Sequence, residues 1–128
     1  MQMKSAAALV AAACLAASAG VAHHSYAMFD NKVETTLIGT VKEFQWTNPH
    51  SWIQLMVTDA AGHAVEWSIE GGSPVALAHQ GWTPTTFTPG DKVEIVMHPL
   101  KDGRKGGSLL RAIVNGQKIG NGWTNVRP

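Results

Sequence analysis

Residues 52–81 read WIQLMVTDAAGHAVEWSIEGGSPVALAHQG, and the order of patterns in them decides the fold. Ile53, Leu55 and Val57 alternate with Trp52, Gln54 and Met56, the two-residue period of a strand with one buried face. Asp59-Ala60-Ala61-Gly62 interrupts that run with turn chemistry. Val65, Trp67 and Ile69 then resume the alternation against Glu66, Ser68 and Glu70, which predicts a hairpin. Gly71-Gly72 ends the second strand. Ser73 follows as a capping residue, with Pro74 at a first helical position and Gly81 at a left-handed terminus, so residues 73–81 predict one short helix.

The flanks extend this pattern. Before it, Leu37, Gly39 and Val41 alternate with Ile38, Thr40 and Lys42. Phe44 and Trp46 fall on the other parity, and a bulge near Lys42-Glu43 would keep them on the core side. Thr47-Asn48-Pro49-His50 closes that strand. After the helix, Gly90-Asp91 turns into a strand with Val93, Ile95 and Met97 inward. A long loop rich in Lys, Arg and Gly spans Pro99 to Gly107, a fifth strand spans Leu109 to Val114, and Asn115-Gly116 makes a tight turn. The expected fold is all-β with one short helix. Strand, strand, strand, helix, strand, strand is the order of an OB-fold-like five-stranded Greek-key barrel. A small open β-sandwich would show a similar strand count.

The chain is 128 residues long, and its start reads as an export signal. Lys4 precedes an apolar run from Ala6 to Ala17 that is too short to cross a bilayer, and small residues follow. Cleavage after Ala19 or after Ala22 satisfies the small-residue rule. Ala11, three residues before Cys14, stands where a lipoprotein signal usually has leucine. The expected division is a cleaved signal over 1–22, an N-terminal arm over 23–32, the barrel over 33–119 and a tail over 120–128. Such a chain is periplasmic and keeps no stable membrane anchor after cleavage.

Composition narrows the function classes. The whole chain has ten Lys and Arg against nine Asp and Glu; losing Lys4 leaves nine against nine. A neutral domain without a basic stripe excludes nucleic acid as a partner, since phosphate binding needs clustered cations. The single cysteine, Cys14, departs with the signal, so the exported form has no disulfide or thiolate site. All six histidines stay. No nucleophile elbow, zinc-protease helix motif or phosphate-binding glycine loop is present, so the residues point to binding rather than catalysis.

Histidines carry the sharpest hypothesis. Cleavage after Ala22 makes His23 the first residue, with its amine and ring Nδ1 free to chelate. A second imidazole would complete a three-nitrogen site of the histidine-brace kind, which suits copper(II) or another divalent metal. His24 lies beside it. His50, behind Pro49 in the loop joining strands one and two, is the best-placed partner; His98, at the end of strand four, is a further candidate. The Met28 thioether is a candidate soft ligand, with core filling beside Phe29 as its ordinary role. Trp52 and Trp82 suggest a different use. With the basic loop they would form a stacking platform in a metal-free module that holds a protein or glycan partner. Glu66 and Glu70 share a strand face and read as polar surface.

Several segments carry a resemblance: Ala22-His23-His24-Ser25-Tyr26-Ala27-Met28-Phe29-Asp30, Gly39-Thr40-Val41, Trp46-Thr47-Asn48-Pro49-His50-Ser51-Trp52, Gly81-Trp82-Thr83, Pro89-Gly90-Asp91 and Pro99-Leu100-Lys101-Asp102-Gly103. With them the chain resembles a family of short exported proteobacterial proteins filed as a domain of unknown function. The resemblance covers the mature chain and implies a periplasmic location and one compact β domain. It brings no activity with it.

Overall fold

A computed structural model of the chain describes residues 26–120. A 3-10 turn, Tyr26–Met28, precedes six strands and one helix: β1 (Thr35–Gln45), β2 (Trp52–Thr58), β3 (Ala64–Glu70), α1 (Pro74–His79), β4 (Lys92–Pro99), β5 (Gly106–Val114) and β6 (Gln117–Gly120). The sheet order is β3-β2-β1-β4-β5-β6, and β3 also pairs in parallel with β5. That extra pairing closes the first five strands into the OB-like barrel.

Alternation places the core. Leu37 and Val41 of β1, Ile53 and Leu55 of β2, and Ile69 of β3 face Val93, Ile95 and Met97 of β4 and Ala112 and Val114 of β5. The β1–β2 register jumps from Val41↔Leu55 to Glu43↔Gln54, so Lys42 is the bulged residue. The bulge turns Phe44 inward, where it packs on the core with Trp46. Helix α1 plugs one end. Ser73 Oγ accepts from the Ala76 amide, and Leu77 inserts its side chain into the core. The helix ends in a Schellman pair, with Trp82 N donating to Leu77 O and Gly81 N to Ala78 O. Burying one apolar side chain is all that so short a helix contributes to the core.

The C-terminal side differs from expectation in two ways. Asn115 and Gly116 both have positive φ, as a type I′ turn requires, and the turn leads into a sixth strand. Gly106 and Gly107 belong to β5 and not to the preceding loop, which shortens to residues 100–105. They form the closure itself: Ser68↔Gly106 and Ile69↔Gly107 pair across the seam, while Pro99↔Gly107 pairs on the other side. A Cβ on Gly107 would collide with Met97 Sδ and lie 2.5 Å from His98 O; one on Gly106 would lie 2.7 Å from Ser68 O. Three strands meet here more closely than any side chain permits.

Residues 26–32 of the expected N-terminal arm pack and hydrogen-bond against the barrel. Phe29 is buried and bridges to Leu100. Asp30 N donates to Pro99 O, Lys101 N to Met28 O, and Lys101 Nζ to Ala27 O. Residues 27–30 are thus laid along the β4–β5 connection. Met28 does not fill the core beside Phe29; it is 40% exposed.

These packings set three expectations for equilibrium urea unfolding. Gly107→Ala should lower stability by roughly 3 kcal/mol, since the His98 carbonyl blocks the new methyl from one side and the fully buried Met97 side chain has no room to move away from it. Gly72→Ala, whose Cβ would meet only ordinary contacts at 3.5 Å and beyond, should change stability by less than about 0.5 kcal/mol. Phe29→Ala should cost roughly 3 kcal/mol or more. It should also expose the segment near Met28 to limited proteolysis before the barrel unfolds.

Candidate functional site

His50 is positioned by the backbone on both sides of it. The Asn48–Pro49 peptide is cis, and Thr47 Oγ1 donates to His50 O at 2.8 Å. Beyond it, Ser51 N donates to Gly72 O, and Gly71 N donates to Ser51 O. This extends the β2–β3 pairing past both strand ends and seats the imidazole beside Glu70 and Gly71. His50 Nδ1 lies 3.3 Å from Gly71 O and 3.3 Å from Glu70 Oε1. Both neighbours are acceptors, so a proton on Nδ1 suits this position and, in that tautomer, leaves Nε2 as the nitrogen with a lone pair for a ligand. The Glu70 side chain is 12% exposed and that of His50 31%.

A cleft of about 240 Å³ opens at this ring, between β3, α1 and β5. Tyr26 and Phe29 form part of its wall, together with Glu70, Leu77 and Ser108. The N-terminal segment therefore enters the described structure at the His50 cleft. A second cavity, of about 280 Å³, has Phe29 and Glu70 in common with the first. Trp52, Met28 and the β4–β5 loop residues Arg104 and Lys105 complete it. In that loop, the backbone N–H and side chain of Arg104 both donate to Asp102 and hold its carboxyl below the usual range.

The remaining sequence candidates separate. His23 and His24 lie outside the described residues. His98 sits on the outer face opposite Ser108, does not line the His50 cleft, and donates from Nδ1 to Val33 O at 2.7 Å. It neighbours Glu34, whose carboxyl is held low by the Arg111 guanidinium that donates to it. The paired platform of Trp52 and Trp82 is not formed. Trp82 is 2% exposed and stacks on Phe87 inside the core, because the turn after α1 folds it under the barrel end. Trp52 alone reaches a surface cavity. Among the described residues, no three His, Cys, Asp or Glu side chains gather in a metal-holding group.

Two participants escaped the sequence reading. Glu70 looked like polar surface, yet it orients His50 and lines both cavities. Phe29 fell within the expected N-terminal arm and entered the reading only as the core-side neighbour of Met28, yet it is buried and lines both cavities. Comparison with known proteins adds a family. No curated protein and no solved structure matches the chain. A model described as a family of unknown function (DUF6152) matches residues 9–110, a span that takes in every candidate histidine as well as Trp52 and Trp82. The chain, from its leading segment into β5, belongs to this family of unknown function.

Proposed function

We propose that this small β-barrel protein is exported to the periplasm and binds copper(II) between a histidine N-terminus and His50. The observation that carries the reading is that Tyr26 and His50 line one cleft. His23 stands three residues before Tyr26, so its Cα lies within about 10 Å of the Tyr26 Cα however the intervening chain runs. His50 supplies a single imidazole nitrogen, and the copper needs further donors. A free His23 amine and ring would supply two nitrogens, giving the nitrogen-rich tetragonal set that copper(II) favours. His24 remains a candidate for an additional contact, and His98 has no place in this set.

Glu70 supports the reading from behind the ring. A carboxylate and a carbonyl on Nδ1 fix both tautomer and ring orientation, the arrangement typical behind metal-bound histidines. The cleft wall formed by Phe29 and Leu77 would also limit water at the site. Buffering or delivery of copper follows most directly from one open, partly exposed site.

The protein purified from periplasmic extract should have the intact mass of a chain beginning at His23 and bind one copper(II) per chain. Its EPR spectrum should show hyperfine coupling to several nitrogens. His50→Ala should weaken binding at least about a hundredfold, and Glu70→Leu about tenfold by freeing the ring. One extra residue before His23 should weaken binding as much as His50→Ala does. Equal affinity in that extended form would overturn the N-terminal site, and a wild-type chain that takes up no copper would overturn the whole reading.

A further inference from the structure

One residue of the β4–β5 loop, Lys101, holds the N-terminal segment at two successive carbonyls. The 3-10 turn Tyr26–Met28 uses one of its carbonyls internally, since Phe29 N donates to Tyr26 O at 3.3 Å. Ala27 O and Met28 O are then the open end of the turn. Successive carbonyls of a helical turn point the same way along its axis, so one neighbouring residue can reach both. The Lys101 backbone N–H donates to Met28 O at 2.9 Å, and its ammonium donates to Ala27 O at 2.8 Å.

These two bonds differ in what they require. Any residue but proline at position 101 could make the backbone bond, which continues the Phe29–Leu100 bridge. The side-chain bond needs a long cationic donor. It is exposed to solvent, and ordering a lysine side chain costs rotamer freedom, so it adds little to the stability of the barrel. What it restrains is the chain leading back toward His23, with Tyr26 already on the wall of the His50 cleft. We propose that Lys101 is a positioning residue for copper binding, its ammonium fixing the chain at Ala27 so that the histidine N-terminus meets His50. This role rests on the copper reading above. From the Ala27 anchor to His23 the chain runs four residues. Release of Ala27 lengthens and loosens that tether, which lowers the local concentration of the terminal nitrogens at His50. Charge acts in the other direction. A cation near the site opposes a divalent metal, so on electrostatics alone its removal would tighten binding. Positioning therefore predicts an effect of the opposite sign.

The test measures copper(II) affinity of the exported full chain, and amide hydrogen exchange of the same proteins without metal. Lys101→Met keeps the apolar stem and loses the donor. It should weaken copper binding about fivefold and speed exchange of the Phe29 amide by about as much, with the urea midpoint of the barrel unmoved. Lys101→Arg keeps a long cationic donor and should stay within about twofold of wild type in both readouts. Lys105→Met removes the same charge from the same loop, where the ammonium lies over the Trp67 ring, and should bind copper at least as tightly as wild type. Equal or tighter copper binding by Lys101→Met, or an unaltered Phe29 exchange rate, would overturn the positioning role and leave the copper reading standing. An equal loss of urea stability and of affinity in Lys101→Met and Lys101→Arg would also overturn it, by assigning the lysine to stability alone. A wild-type chain that takes up no copper overturns both.

Discussion

The rest of the molecule depends on the close approach of β3 and β5 at Gly106 and Gly107. Parallel pairing there requires backbone to lie where a side chain would otherwise stand, with Ser68 O on one side and His98 O and Met97 on the other. Closure removes the free edge at this end of β3 and β5, which matters for a domain whose described part has no cysteine to staple it. It also fixes what lies outside the barrel. The 100–105 loop must leave the seam directly over Trp52 and Glu70, and it offers its backbone to the incoming N-terminal segment. Asp30, Met28 and Lys101 complete that exchange of hydrogen bonds. Tyr26 reaches the His50 cleft because two glycines let two strands meet.

Two histidines show how the same local device yields different chemistry. His50 and His98 both have Nδ1 against a backbone carbonyl, which orients each ring. Around His98 the neighbours belong to a surface network, in which Arg111 on β5 reaches Glu34 just before β1. Glu34 has its carboxyl held low by this pair, so the contribution to stability is present above the ordinary carboxylate range and disappears as pH falls through the lowered value. The Glu34 side chain is half exposed, and solvent screening makes this a small contribution. His50 instead has a mostly buried carboxylate behind it and a cleft in front. Position relative to the seam, and not residue type, separates a site from a surface contact.

Much of the barrel was legible because strand parity and turn chemistry are local signals. The inward residues of β2, β3 and β4, the bulge at Lys42, the Ser73-Pro74 helix start and the Asn115-Gly116 turn each follow from a few adjacent side chains. The misreadings have a common cause. Gly106 and Gly107 read as loop residues because a sequence does not distinguish a glycine needed for a turn from one needed for contact between strands. Trp82 has no parity to place it, because it follows the end of a helix, and only tertiary packing folds it onto Phe87 instead of leaving it for a surface platform. Glu70 passed as surface since its partner, His50, is twenty residues away and reaches it only through the β2–β3 pairing. The site was thus legible in its ligand types but not in the residues that hold them.

The folded domain and the processing of the chain control different parts of the proposed centre. Packing of Phe29 against the β4–β5 connection fixes where the N-terminal segment arrives, and that geometry is indifferent to how many residues precede Tyr26. Chelation is not indifferent. With His23 first, a basic amine and a ring nitrogen belong to one residue and can close a ring around the metal. With Gly20 first, the His23 nitrogen is an amide that must lose a proton to bind, and the amine moves three residues further from the cleft. The barrel supplies the location and one oriented imidazole, while cleavage decides whether the remaining nitrogens can match it. In the proposed centre, an otherwise neutral OB-like scaffold would gain metal chemistry from its first residue acting together with His50.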